Sequence, residues 1–203
     1  MHVQVNALLA GQPVKPPTAA DLLQAEKAGH LSTPEPIAPT DLAAADGLAT
    51  PADAKEAGNA AFKAGEYGRA LACYNRTVQL VAEGQGGLAG HEMAMATLGN
   101  LAAAWLKARF PGRAEEAATA AVSQAADSDN LAKVLFRRAT AREKLQDFAA
   151  AAADCTAAIT HAERLHPRET ADKEVQRLRK DLARLEKKAA KVAKTAAAEA
   201  AVR

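Results

Sequence analysis

The chain has 203 residues, 49% of them hydrophobic but only 3% aromatic, and its 26 Lys/Arg against 24 Asp/Glu give a net charge of +2. Abundant alanine, with valine and isoleucine too scattered for strand-like runs, makes the expected fold class all-α, one domain plus tails. No apolar run is long enough to span a membrane and the N-terminus carries no basic-then-apolar leader, so a membrane or secretory role is not expected and a cytoplasmic location is.

Residues 1–50 read as a Pro/Ala-rich tail. Six prolines fall within the first forty residues, in stretches such as GQPVKPP and STPEPIAPT, too many for a packed helical core. The tail is expected to be largely irregular, with one short helix at 19–28 between Thr18 as N-cap and Gly29 as stop. It holds five acidic residues and no arginine, unlike an organellar transit peptide.

From residue 51 the sequence repeats itself. PADAKEAGNAAFKAGEYGRALACYNRTVQL carries Gly58, Gly65, Tyr67, Ala70, Tyr74 and Leu80. MATLGNLAAAWLKARFPGRAEEAATAAV carries Ala102, Trp105, Ala114 and Ala121, and LAKVLFRRATAREKLQDFAAAAADCTAAI carries Ala139, Leu145, Phe148, Ala151 and Ala158. Each segment reads as two helices joined by a short turn, near Gly65, Pro111–Gly112 and Asp147. The alanines let paired helices approach closely, and the aromatics fill the gaps between pairs. Residues 51–169 carry fourteen charges of each sign, so there is no broad basic surface for nucleic acid, and any anion site must arise from local placement.

These spaced small and aromatic residues resemble the tetratricopeptide repeat, a helix-turn-helix unit of about 34 residues. The resemblance implies three repeats, near 51–84, 95–128 and 132–165 within a domain 51–167, stacked as a right-handed solenoid with a concave groove. The repeat starts lie 44 and 37 residues apart, and the excess is assigned mainly to EGQGGLAGHE as a lengthened helix or loop. Arg109 and Pro111 replace the family's glycine and aromatic at the second turn, leaving Phe110 to take over the packing.

In this register the first helix of each repeat presents one face to the groove, with Lys55 and Asn59, then Asn100, then Lys133 and Arg137. All five donate hydrogen bonds, so such a groove asks for carboxylates. Residue by residue the set resembles the carboxylate clamp of tetratricopeptide co-chaperones. That resemblance implies binding of the extreme C-terminus of the ninety- or seventy-kilodalton cytosolic heat-shock chaperones, whose tails end Glu-Glu-Val-Asp. Lys55, Asn59 and Asn100 would hold the terminal main-chain carboxylate, and Lys133 and Arg137 the side chain of the last Asp. Arg138 and Arg142, at other helix angles, are read as surface or inter-repeat residues. Over about residues 51–194 the chain is most similar to the C-terminal repeat domain of large FK506-binding immunophilins. The isomerase domain that precedes those repeats has no counterpart here, and no isomerase activity is expected.

Residues 168–203 form the basic end of the chain and read as an extended C-terminal helix. Val175, Leu178, Leu182, Leu185, Ala189 and Val192 recur every three or four residues, a narrow apolar seam. Its first half is expected to cap the third repeat and its second half to project into solvent. A basic amphipathic helix fits calmodulin, an acidic membrane or a coiled-coil partner, but bulky anchors are few beyond Leu185, so a solvated extension of the cap is preferred.

Chemistry is not expected. The histidines (His2, His30, His91, His161 and His166) lack metal-ligand spacing and a nucleophile to serve. Cys73 and Cys155 lack CxxC spacing and read as reduced helix residues, and GQGG at 84–87 lacks the Lys-Ser/Thr of a phosphate loop. The expected function is a non-enzymatic co-chaperone adaptor without metal or cofactor. It would recruit a client or complex through the tail or the last helix. The alternative is a permanent subunit of a larger cytoskeletal or ciliary assembly.

Overall fold

The computed structural model describes residues 37–124, 130–165 and 173–201; the helix expected at 19–28 lies outside them. Among the described residues the chain is all-α, with eight helices and no strand. They are α1 (Pro39–Asp46), α2 (Pro51–Ala64), α3 (Tyr67–Ala82), α4 (Gly87–Lys107), α5 (Pro111–Gln124), α6 (Leu131–Lys144), α7 (Phe148–Leu165) and α8 (Lys173–Ala201). No helix among the described residues is long and apolar enough to cross a membrane.

Prolines open helices here rather than breaking them. Pro39, Pro51 and Pro111 each take the first helical position, where the missing N–H has no partner to lose. At α2 the Thr50 hydroxyl accepts from the Asp53 N–H at 3.2 Å and donates to the Asp53 carboxylate at 2.7 Å. The Pro-rich region therefore does not stay irregular up to residue 50. Ile37, Ala45 and Leu48, around α1, pack on Ala72 and Cys73 of α3, and Arg76 Nε donates to the Leu48 carbonyl at 3.2 Å.

Three turns share one geometry. Gly65, Arg109 and Gln146 take left-handed φ values of 82°, 69° and 65°. The next residue in each case donates its N–H back five positions: Glu66 to Ala61 at 3.0 Å, Phe110 to Trp105 at 2.9 Å, and Asp147 to Arg142 at 2.9 Å. This is a helix C-terminal motif that satisfies otherwise orphaned carbonyls. The second break thus falls at 108–110 rather than at Pro111–Gly112, both of which lie inside α5. Phe110 does supply the packing, edge-on to Trp105 at 5.5 Å and only 2% exposed.

From α2 onward each helix packs on its chain neighbours, α1 packs on α3, and α4 also touches both α2 and α6. The first helices of the three pairs therefore adjoin one another. Leu71, Tyr74, Leu98, Leu101, Trp105 and Phe110 fill the main core, closed by the alanines of α5. Val175 and Leu178 of α8 pack on Leu135 and Ile159, and Leu185 on Ala139 and Cys155, so the first half of α8 covers the last pair. Glu143 of α6 fastens it, accepting from Arg184 and from Lys188 Nζ at 2.8 Å. The Arg184 hydrogen bond, helped by Lys188, holds the Glu143 carboxyl below the usual range. Beyond the clasp, residues 190–199 are exposed.

Candidate functional site

Asn59 on α2, Asn100 on α4 and Arg137 on α6 come from three helices that meet along one side of the core. A chain of hydrogen bonds links them. Arg137 Nη1 donates to Asn100 Oδ1 at 3.5 Å, Asn100 Nδ2 donates to Asn59 Oδ1 at 3.3 Å, and the Tyr74 hydroxyl of α3 donates to the same Asn59 Oδ1 at 2.9 Å. Together with Phe62, Lys63 and Ala103 these four residues line a cleft of about 190 Å³.

Two glycines permit this approach. A Cβ at Gly58 would lie 2.6 Å from the Tyr74 ring, and one at Gly99 would lie 3.0 Å from Arg137 Nη1 and 3.1 Å from Val134 Cγ2. Each glycine directly precedes a cleft asparagine. Of the five donors read from the sequence, the fold thus joins Asn59, Asn100 and Arg137. Lys55 and Lys133 stand one helical turn before Asn59 and Arg137, outside the cleft lining, and neither makes a hydrogen bond or ion pair among the described residues. Tyr74, Phe62 and Lys63 were missed as site residues. Lys63 was detectable as the next turn after Asn59 on α2.

The electrostatics single out Arg137. Burial pulls its guanidinium below the ordinary arginine value, with Tyr74 acting the other way, yet among the described residues no carboxylate pairs with it. The adjacent arginines differ. Arg138 holds Asp154 through two bonds, at 2.7 and 3.0 Å, while Arg142 bridges Asp154 at 2.9 Å and Glu115 at 2.8 Å. These two tie α5, α6 and α7 together, in keeping with an inter-repeat role. Burial also raises the Tyr74 phenol, against the pull of Arg137.

The described residues contain no group of three or more His, Cys, Asp or Glu able to hold a metal. Both cysteines are buried free thiols, raised by burial, Cys155 to about 11, so they stay protonated at neutral pH and are poor nucleophiles. No protein-family model and no curated protein matches the chain.

Proposed function

We propose that the protein is a non-enzymatic adaptor of the cytosol whose cleft binds the acidic C-terminal tail of a heat-shock chaperone, a peptide of the Glu-Glu-Val-Asp type. The observation that supports this best is Arg137, a cation drawn out of water at a cleft and left without a carboxylate among the described residues. Arg137 is half-buried; a charge partly withdrawn from water without an opposite charge is disfavoured, and a ligand carboxylate would offset that. Asn59 and Asn100 add neutral N–H donors beside it, and Lys55 and Lys133 extend the donor row along their helices.

A C-terminal aspartate suits this set because it offers two carboxylates close together, which no internal peptide position copies. The organisation of the chain supports the finer reading that the three helix pairs are tetratricopeptide repeats. The same turn recurs three times, and each first helix adjoins the next. The exposed outer half of α8 is then free to recruit a client or a complex.

If each charge-assisted hydrogen bond contributes ~1.5–3 kcal/mol before ordering costs, a micromolar complex of ~8 kcal/mol results. Arg137→Ala should cost ~2 kcal/mol or more in binding a peptide ending Glu-Glu-Val-Asp, measured by calorimetric titration. Lys133→Ala should also weaken binding and flatten its salt dependence. Affinity unchanged in the Arg137 variant would sink the clamp.

A further inference from the structure

An asparagine serves an anion site only when its amide presents nitrogen rather than oxygen to the ligand. At Asn59 the neighbours make that choice. We propose that Tyr74 is a positioning residue for the cleft, its hydroxyl holding Asn59 in the orientation that leaves the amide NH2 for an incoming carboxylate. The inference rests on the carboxylate-binding reading of the cleft.

Asn59 Oδ1 accepts from the Tyr74 hydroxyl at 2.9 Å and from Asn100 Nδ2 at 3.3 Å, which occupies both of its lone pairs. Its Nδ2 makes no hydrogen bond among the described residues, and the side chain lines the cleft. One residue further along, Asn100 Oδ1 accepts from Arg137. Asn59 Oδ1 is thus filled within the protein and Asn100 Oδ1 is engaged by Arg137 at 3.5 Å, while the N–H left for a ligand is two hydrogens at Asn59, one at Asn100, and the rest of the guanidinium. A lining this rich in donors favours an anion over a neutral amide.

Tyr74 is well placed to impose this order. It belongs to α3, the second helix of the first pair, and its side chain is 2% exposed. Its ring lies so close to Gly58 that even a Cβ there would intrude. The hydroxyl is thus held in place by core packing, while the asparagine it restrains sits at the cleft. Without that O–H, the Asn59 carbonyl keeps only the longer bond from Asn100. The amide can then turn and set oxygen lone pairs against those of the ligand.

The test is a double-mutant cycle. Wild type, Tyr74→Phe, Asn59→Ala and the double variant are titrated calorimetrically with a peptide ending Glu-Glu-Val-Asp as the free acid. Phenylalanine keeps the ring and its contact with Gly58, so the fold is retained. Tyr74→Phe is expected to weaken binding about five- to tenfold in the wild-type background. In the Asn59→Ala background it is expected to have no effect, because Tyr74 acts through Asn59. Tyr74→Phe binding like wild type, or losing the same factor in both backgrounds, overturns the proposal while leaving the carboxylate reading standing. A wild-type protein that fails to bind the peptide overturns both.

Discussion

Gly58 and Gly99 stand in mid-helix, where glycine costs about 1 kcal/mol relative to alanine, and each precedes a cleft asparagine. A Gly-Asn pair thus recurs at both positions. The two sites should answer substitution differently. At Gly58 the atoms met at 2.6 Å are ring carbons of buried Tyr74, so Gly58→Ala should destabilise by ~1–3 kcal/mol despite the propensity gain. At Gly99 the nearest atom is the end of the Arg137 side chain, which can move. Gly99→Ala should therefore change stability by less than ~1 kcal/mol while weakening carboxylate binding. Denaturant unfolding of both variants checks the first half of this contrast; a Gly58→Ala protein as stable as wild type contradicts it. Asn59, Asn100 and Arg137 were legible from the repeat register, which sets equivalent positions of α2, α4 and α6 on one face. Tyr74 was not, since its hydroxyl arrives from another helix, and no periodicity within α2 reports it. Arg137 and Arg138 show the angular rule at its sharpest: one helix step apart, one lines the cleft and the other pairs with Asp154.

At the scale of elements, α8 carries one apolar seam with two fates. Val175, Leu178 and Leu185 are buried against α6 and α7, whereas Val192 is 52% exposed. The periodicity is the same along its length, so sequence pattern marks the seam; where it ends in solvent follows from where the partner helices stop. Leu185→Ala should cost ~2–4 kcal/mol of stability, since it empties a packed site. Val192→Ala should stay within ~0.5 kcal/mol. Comparing the two unfolding midpoints decides this, and equal losses would contradict a cap confined to the first half. The turns teach a related lesson. A left-handed residue is needed at each, and glycine announced it only at Gly65, whereas Arg109 and Gln146 accept the strained conformation because the backbone bonds after them complete the motif. Pro39, likewise, signalled a tail by composition but starts α1.

Across the whole molecule, the three left-handed turn residues fall 44 and then 37 residues apart, the same intervals as the repeat starts. The larger interval includes both a turn at 83–86 and a lengthened α4, which begins at Gly87. Sequence could not divide EGQGGLAGHE between helix and loop, because GQGG fits either. Among the described residues α2, α4 and α6 contact one another in turn, so the first helices of the three pairs form a continuous row. That row is what assembles donors from α2, α4 and α6 into one cleft. The function proposed for this cleft is to grip a C-terminal carboxylate. Its most direct test is calorimetric titration of the protein with a peptide ending Glu-Glu-Val-Asp, beside the same peptide amidated at its C-terminus. Micromolar binding of the free acid, lost on amidation, is expected; equal binding of both peptides, or binding of neither, would rule the carboxylate grip out.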